Sequence, residues 1–131
     1  MQVYLTKWMA RFAGREGIAH ASLRDAIARA EKGAIDADLG GGLIKQRVAR
    51  PGKGRSGGYR TIIAYRRGDR AFFIYGFAKS KQENIGRDEL KTAREVGAAL
   101  MAMPKETITR SIANRELEEI AYGQEKAQSS Y

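Results

Sequence analysis

The chain of 131 residues holds no cysteine, one histidine and two prolines. Without cysteine there are no disulfides, thiolate zinc sites, iron–sulfur clusters or cysteine nucleophiles. A lone His20 supplies neither a two-histidine metal site nor paired imidazole acid–base chemistry, and it reads as an exposed loop residue. Asp36 and Asp38 are followed by no further acid at calcium-loop spacing, so no metal and no cofactor is expected. Apolar runs stay far short of the roughly 20 residues that a membrane-spanning helix needs. Lys7 interrupts the apolar start, which is not the pattern of a signal peptide, and a cytoplasmic protein without a membrane partner is the expectation. The segment Gly52-Lys-Gly-Arg-Ser-Gly-Gly58 lacks phosphate-loop spacing, and a strand rather than a helix is expected after it.

Acids are also scarce where bases are dense. Between Lys45 and Lys81 stand 11 lysines and arginines against one acid, Asp69, whereas the other 13 basic and 14 acidic residues nearly cancel. Essentially all of the net charge of +9 therefore sits in this one stretch. Aromatic residues are interleaved with it, the electrostatic footprint of a nucleic-acid site.

The length suits one domain, expected over 1–122, with a loose tail over 123–131. The fold class expected is α+β: a small curved antiparallel sheet packed by N-terminal helices and a C-terminal helix, all on one face. Strands are expected near 43–49, 59–67 and 71–78, with a tight turn over Arg67–Arg70 and a mobile basic loop over Arg50–Gly58. Val3–Leu5 is expected as a further strand at a sheet edge. Thr6 is placed to cap a first helix, whose Trp8 and Phe12 read as core. Ser22 to Asp25 resembles a capping box for a second helix that stops at Gly33. The stretch Ile35–Gly42, with three consecutive glycines at its end, reads as an irregular connector. Asn84 is expected to cap a helix running to about Met103, followed by a short helix to about Asn114 and a helical turn or edge strand at Leu117–Ile120. In the last long strand, Phe72 and Ile74 are expected to face away from Phe73, Tyr75 and Phe77.

A hairpin through Arg67–Arg70 pairs residues whose numbers sum to about 137. That brings Lys79 opposite Gly58 and near Arg60. Two cations at one end of a sheet destabilise each other, and a phosphate offsets the cost. Lys53 and Arg55, on glycine-rich backbone, can approach a phosphodiester closely.

The run Ile44 to Arg60, with Phe72-Phe-Ile-Tyr-Gly-Phe-Ala-Lys79 and Asn84-Ile85, resembles the HigB-like branch of the RelE/ParE toxin superfamily. Gly57-Gly-Tyr-Arg60 and Phe77-Ala-Lys79 carry it most specifically, and it extends from about Val3 to Ile120. The resemblance implies a toxin of a type II toxin–antitoxin system, an endoribonuclease acting on mRNA at the ribosome. Its partner would be a cognate antitoxin, a HigA-like DNA-binding protein, docked on the catalytic face or on the N-terminal helices. Arg60 matches the family's phosphate-binding arginine and Lys79 the basic position ending the last long strand, and these are the expected catalytic residues. Arg50, Lys53, Arg55, Tyr59, Tyr75 and Lys81 are the expected RNA-binding residues. The chain continues as Ser80-Lys81 without the arginine of typical RelE proteins, and no tyrosine follows where those proteins place their base. RNA brings its own nucleophile, the 2′-hydroxyl, so charge neutralisation and alignment suffice without metal or histidine. A ParE-like inhibitor of DNA gyrase and a non-catalytic nucleic-acid- or ribosome-binding module are the alternatives.

Overall fold

The computed structural model describes residues 1–50 and 54–123. Its elements run β1 (Gln2–Thr6), α1 (Lys7–Glu16), α2 (His20–Glu31), β2 (Ala37–Gly40), β3 (Leu43–Arg50), β4 (Gly54–Arg66), β5 (Arg70–Ala78), α3 (Arg87–Met101), α4 (Lys105–Ala113) and β6 (Leu117–Ile120). This is an α+β fold on one six-stranded sheet of order β2-β3-β4-β5-β1-β6. All neighbours are antiparallel except β1 and β5, which run parallel. No helix among the described residues is long and apolar enough to cross a membrane.

Several expectations need correction. The strand at Val3 is not at an edge. It lies between β5 and β6, as its three buried residues Val3, Tyr4 and Leu5 require, since side chains pointing to both faces need cover on both. The helices are likewise not confined to one face. Leu5, Met9, Phe12, Leu23 and Ile27 gather with Ile44, Ile63 and Phe73 on the α1/α2 side. Leu43, Ile62, Phe72 and Ile74 pack with Ala93, Leu100 and Ile108 on the α3/α4 side. A sheet with apolar residues on both faces buries both by taking a helical layer on each.

The glycines after Leu39 are the third case. Asp38 accepts the Gly40 amide through Oδ1 at 2.9 Å. Gly40, Gly41 and Gly42, with φ of 77°, 63° and 81°, then turn the chain from β2 into β3. The stretch is a hairpin, because left-handed backbone is what glycine supplies at least cost. Fourth, α2 begins at His20 with Ala19 as its cap, so Ser22 and Asp25 lie inside the helix, where Asp25 pairs with Arg29 at 3.1 Å. Fifth, α3 is capped at Gly86, whose amide donates to Glu89 at 2.9 Å, and Asn84 lies two residues before it.

Thr6 does cap α1, accepting the Met9 amide at 3.1 Å. Its hydroxyl also donates to the Ile74 carbonyl at 2.9 Å. Ile74 is the extra residue of a β-bulge: Ile62 faces Tyr75, whereas the next residue, Ile63, faces Phe73. One extra residue reverses the alternation beyond it. Tyr75 and Phe77 therefore join Phe72 and Ile74 on the α3 side, contrary to the expected split. β4 opens at Gly54, directly across from Arg50, so the expected loop over 50–58 is shorter than the sequence suggests. The expected tail falls on 124–131, outside the described residues.

Candidate nucleic-acid interface

Strands β3, β4 and β5 bring the cationic residues together. Arg60 pairs with Phe77 on one side and with Arg47 on the other. All three occupy positions that alternate with the α1/α2 core, so they belong to the α3 side. The expected register holds: Tyr59 pairs with Ala78, and the Lys79 amide donates to the Gly58 carbonyl at 3.1 Å. Lys79 thus stands exposed at the same end of the sheet as Arg60.

Arg60 is only 6% exposed. Burial, and then the neighbouring Arg47 charge, push its pKa down from the ordinary arginine value, while Asp36 opposes the shift. A guanidinium remains charged through such a shift, so the site carries fixed positive charge in a poorly hydrated setting. Asp36 also fixes Arg47 from behind, since its Oδ2 accepts the Arg47 amide at 2.7 Å. Arg29 donates to the Arg47 carbonyl as well. Beneath them the fully buried Gln46 donates to the carbonyls of Ala26 and Ala34 at 2.9 and 3.2 Å and accepts the Asp36 amide at 2.7 Å. One amide side chain therefore fastens α2 and the segment before β2 to the strand that carries Arg47.

The α3 side is completed by residues after β5. Lys45 donates to Asn84 Oδ1 at 3.4 Å, and Gln82 donates to the Asn84 carbonyl at 2.9 Å. Glu89 accepts Gln82 at 3.2 Å and the phenol of Tyr75 at 2.5 Å. The Tyr75 ring lies 6.0 Å from Phe77 and 4.6 Å from Trp8. Tyr75 is half-buried, and burial followed by the Glu89 bond pushes its pKa up to about 12, so it is a neutral phenol. An aromatic row thus leads along β5 away from Arg60.

Other expected residues lie elsewhere. Tyr59 is 1% exposed, packed edge-on against Phe12 with its hydroxyl on Glu16 Oε1 at 3.1 Å. Its ring is part of the α1/α2 core and offers no open face to a base. Arg50 lies over that ring, 5.8 Å from its centroid, and so on the opposite side of the sheet from Arg60. Lys81 is exposed in the turn after β5, its amide on the Ala78 carbonyl at 3.0 Å. Lys53 and the Arg55 side chain lie outside the described residues. His20, expected in a loop, is the first residue of α2 and stands 3.8 Å from Glu118.

Sequence reasoning missed Arg47, Glu89 and Trp8. The β3–β4 register could not be read through the glycine-rich link, and that register is what sets Arg47 opposite Arg60. Trp8, expected in the core, is 43% exposed.

A small α+β protein with positive charge built into one end of its sheet is the class that the fold and this face define. The family model for the RelE toxin of the RelE/RelB toxin–antitoxin system matches residues 1–120, and the chain belongs to that family. It is a toxin of a toxin–antitoxin system, with an antitoxin for partner. None of the curated proteins matches the chain.

Proposed function

We propose that this toxin is an endoribonuclease that cuts mRNA on the translating ribosome and so inhibits translation in the cytoplasm, with the HigB-like branch as its place in the superfamily and a HigA-like antitoxin as its partner. The observation that carries the reading is the pairing of Arg60 with Arg47 across two strands, with Arg60 buried. A buried cation placed beside an exposed one of the same sign favours a ligand of concentrated negative charge. In the proposed reaction the 2′-hydroxyl attacks the adjacent phosphorus, the O2′–P bond forms as the P–O5′ bond breaks, and the proton leaves O2′ as O5′ gains one. Arg60 and Lys79 stabilise the charge on the phosphorane-like oxygens. Arg47 joins them, and the half-buried Tyr75 offers ring surface to a splayed base. Lys53, Arg55 and Lys81 guide the strand. The whole of 1–122 acts as one toxin domain, with 123–131 outside it.

Mapping 5′ ends of cellular mRNA after brief expression tests the reading. New ends within translated codons, absent when initiation is blocked, are the expected result. Growth arrest with intact mRNA and broken DNA would instead establish a gyrase inhibitor.

A further inference from the structure

A groove of about 450 Å³ runs between the start of α1 and the first turns of α3, floored by Ile74 and Tyr75. Trp8 forms one wall and Ala93 and Val96 the other. The Trp8 ring is held by stacking on Phe12 at 5.3 Å and by a tilted contact with Tyr75 at 4.6 Å, yet 43% of the residue stays open to solvent. A rigid, exposed tryptophan beside an apolar trough has the form of a binding anchor site, because little ordering is needed to fill it.

Charge decides what fills it. In a chain of net charge +9, no cation lines this groove, and its two charged residues are Asp88 and Glu89. Among the described residues neither acid forms an ion pair. Glu89 is held by neutral donors alone, the phenol of Tyr75, the Gly86 amide and Gln82, so its negative charge persists. A phosphodiester strand is repelled here. A polypeptide segment with an apolar anchor flanked by lysine or arginine is complementary in both shape and charge.

We propose that this groove docks the antitoxin, receiving an aliphatic or aromatic side chain against Trp8 with an adjoining basic residue against Asp88 and Glu89. The proposal rests on the antitoxin partner and not on the ribonuclease reading. Because Tyr75 floors the groove and Phe77 lies beside Tyr75, a segment docked there stands at the rim of the Arg60 face. It blocks access by a nucleic acid without having to place a carboxylate among the cations.

Trp8 is the only tryptophan of the chain, so its emission reports the groove directly. The full chain is titrated with its antitoxin, by calorimetry and by fluorescence together. The expected complex shifts Trp8 emission to the blue and shields it from acrylamide. Asp88→Lys and Thr92→Arg, both at exposed positions, should each weaken Kd by about 10-fold or more, as loss of an anchor contact does. Their circular dichroism and mRNA cleavage should match the parent. A complex of full affinity with Trp8 emission unchanged overturns the groove assignment alone, and absence of any complex overturns the antitoxin reading with it. Quenching of Trp8 by an oligouridine that Asp88→Lys strengthens would assign the groove to RNA, and a concentration-dependent blue shift of the toxin by itself would assign it to a second copy. Either result overturns the proposal.

Discussion

Arg60 and Arg47 face each other across β3 and β4, with Phe77 completing the row on β5. Antiparallel partners on one face approach to roughly 5 Å between Cβ atoms, where like charges repel. The fold tolerates this because Asp36, Arg29 and Gln46 fix the backbone around Arg47 from the other layer.

Removing a charge from this row should therefore harm activity more than folding. Arg60→Ala and Lys79→Ala should each slow mRNA cleavage by about 10²-fold or more, the scale of losing one preorganised donor to a developing oxyanion. Arg60→Lys should recover only part of the rate, since an ammonium lacks the planar fork. Growth after induction and the yield of cleaved mRNA ends provide the measurement, with circular dichroism as the control for folding. Full toxicity in both alanine variants would remove these roles.

Gln46→Leu should behave in the opposite way, costing stability first. The substitution leaves the Ala26 and Ala34 carbonyls and the Asp36 amide without this partner. Each buried unsatisfied group costs about 1 to 3 kcal/mol. A loss of about 3 kcal/mol in urea-induced unfolding is expected, and an unchanged midpoint would show that water or rearrangement replaces the amide.

Much of this architecture is written in local pattern. Thr6 before an apolar stripe, the Arg67–Arg70 turn and the charge excess from Lys45 to Lys81 each depend on neighbouring residues, and each is found in place. The pairing of Tyr59 with Ala78 follows from the hairpin alone, so it was legible too. The bulge at Ile74 was not, because an extra residue leaves no mark in composition, and it moves Tyr75 and Phe77 to the other face. The place of β1 inside the sheet depends on pairing with β5, some 68 positions away along the chain. The role of Trp8 was misread because Trp8 and Phe12 share a helical stripe whether or not the sheet extends beneath both.

The close seat of α3 on the sheet yields a prediction at Gly97. A Cβ there would meet Leu43 Cδ2 at 3.0 Å, Ala64 Cβ at 3.3 Å and Ile74 Cδ1 at 3.4 Å. Overpacking costs about 1 to 3 kcal/mol, against about 1 kcal/mol gained by replacing a helical glycine with alanine. Because Ala64 has no rotamer with which to yield, Gly97→Ala should lower the urea midpoint. A higher midpoint would mean that α3 slides freely on β4.

The bond between Tyr75 and Glu89 should be visible in the pH dependence of stability. Accepting the phenol, and after it the Gly86 amide, lowers the Glu89 pKa from the ordinary carboxylate value. Its folded pKa lies below the unfolded value of about 4.3. The stabilisation is therefore complete above that range and lost as the pH falls through the lower folded value. Tyr75 works in the other direction. Its folded pKa of about 12 means that the neutral phenol is favoured in the fold. Its contribution is complete below the unfolded value of about 10 and is lost as the pH rises toward the folded one. Tyr75→Phe removes the donor, so Glu89 should titrate nearer its ordinary value and the acid limb of the thermal-midpoint curve should flatten. Glu89→Gln should flatten the same limb by removing the titrating group itself. The alkaline limb is less diagnostic, since burial also raises Tyr4, Tyr59 and Tyr65. Superimposable acid limbs in the parent and both variants would show that the bond contributes nothing to the fold in solution.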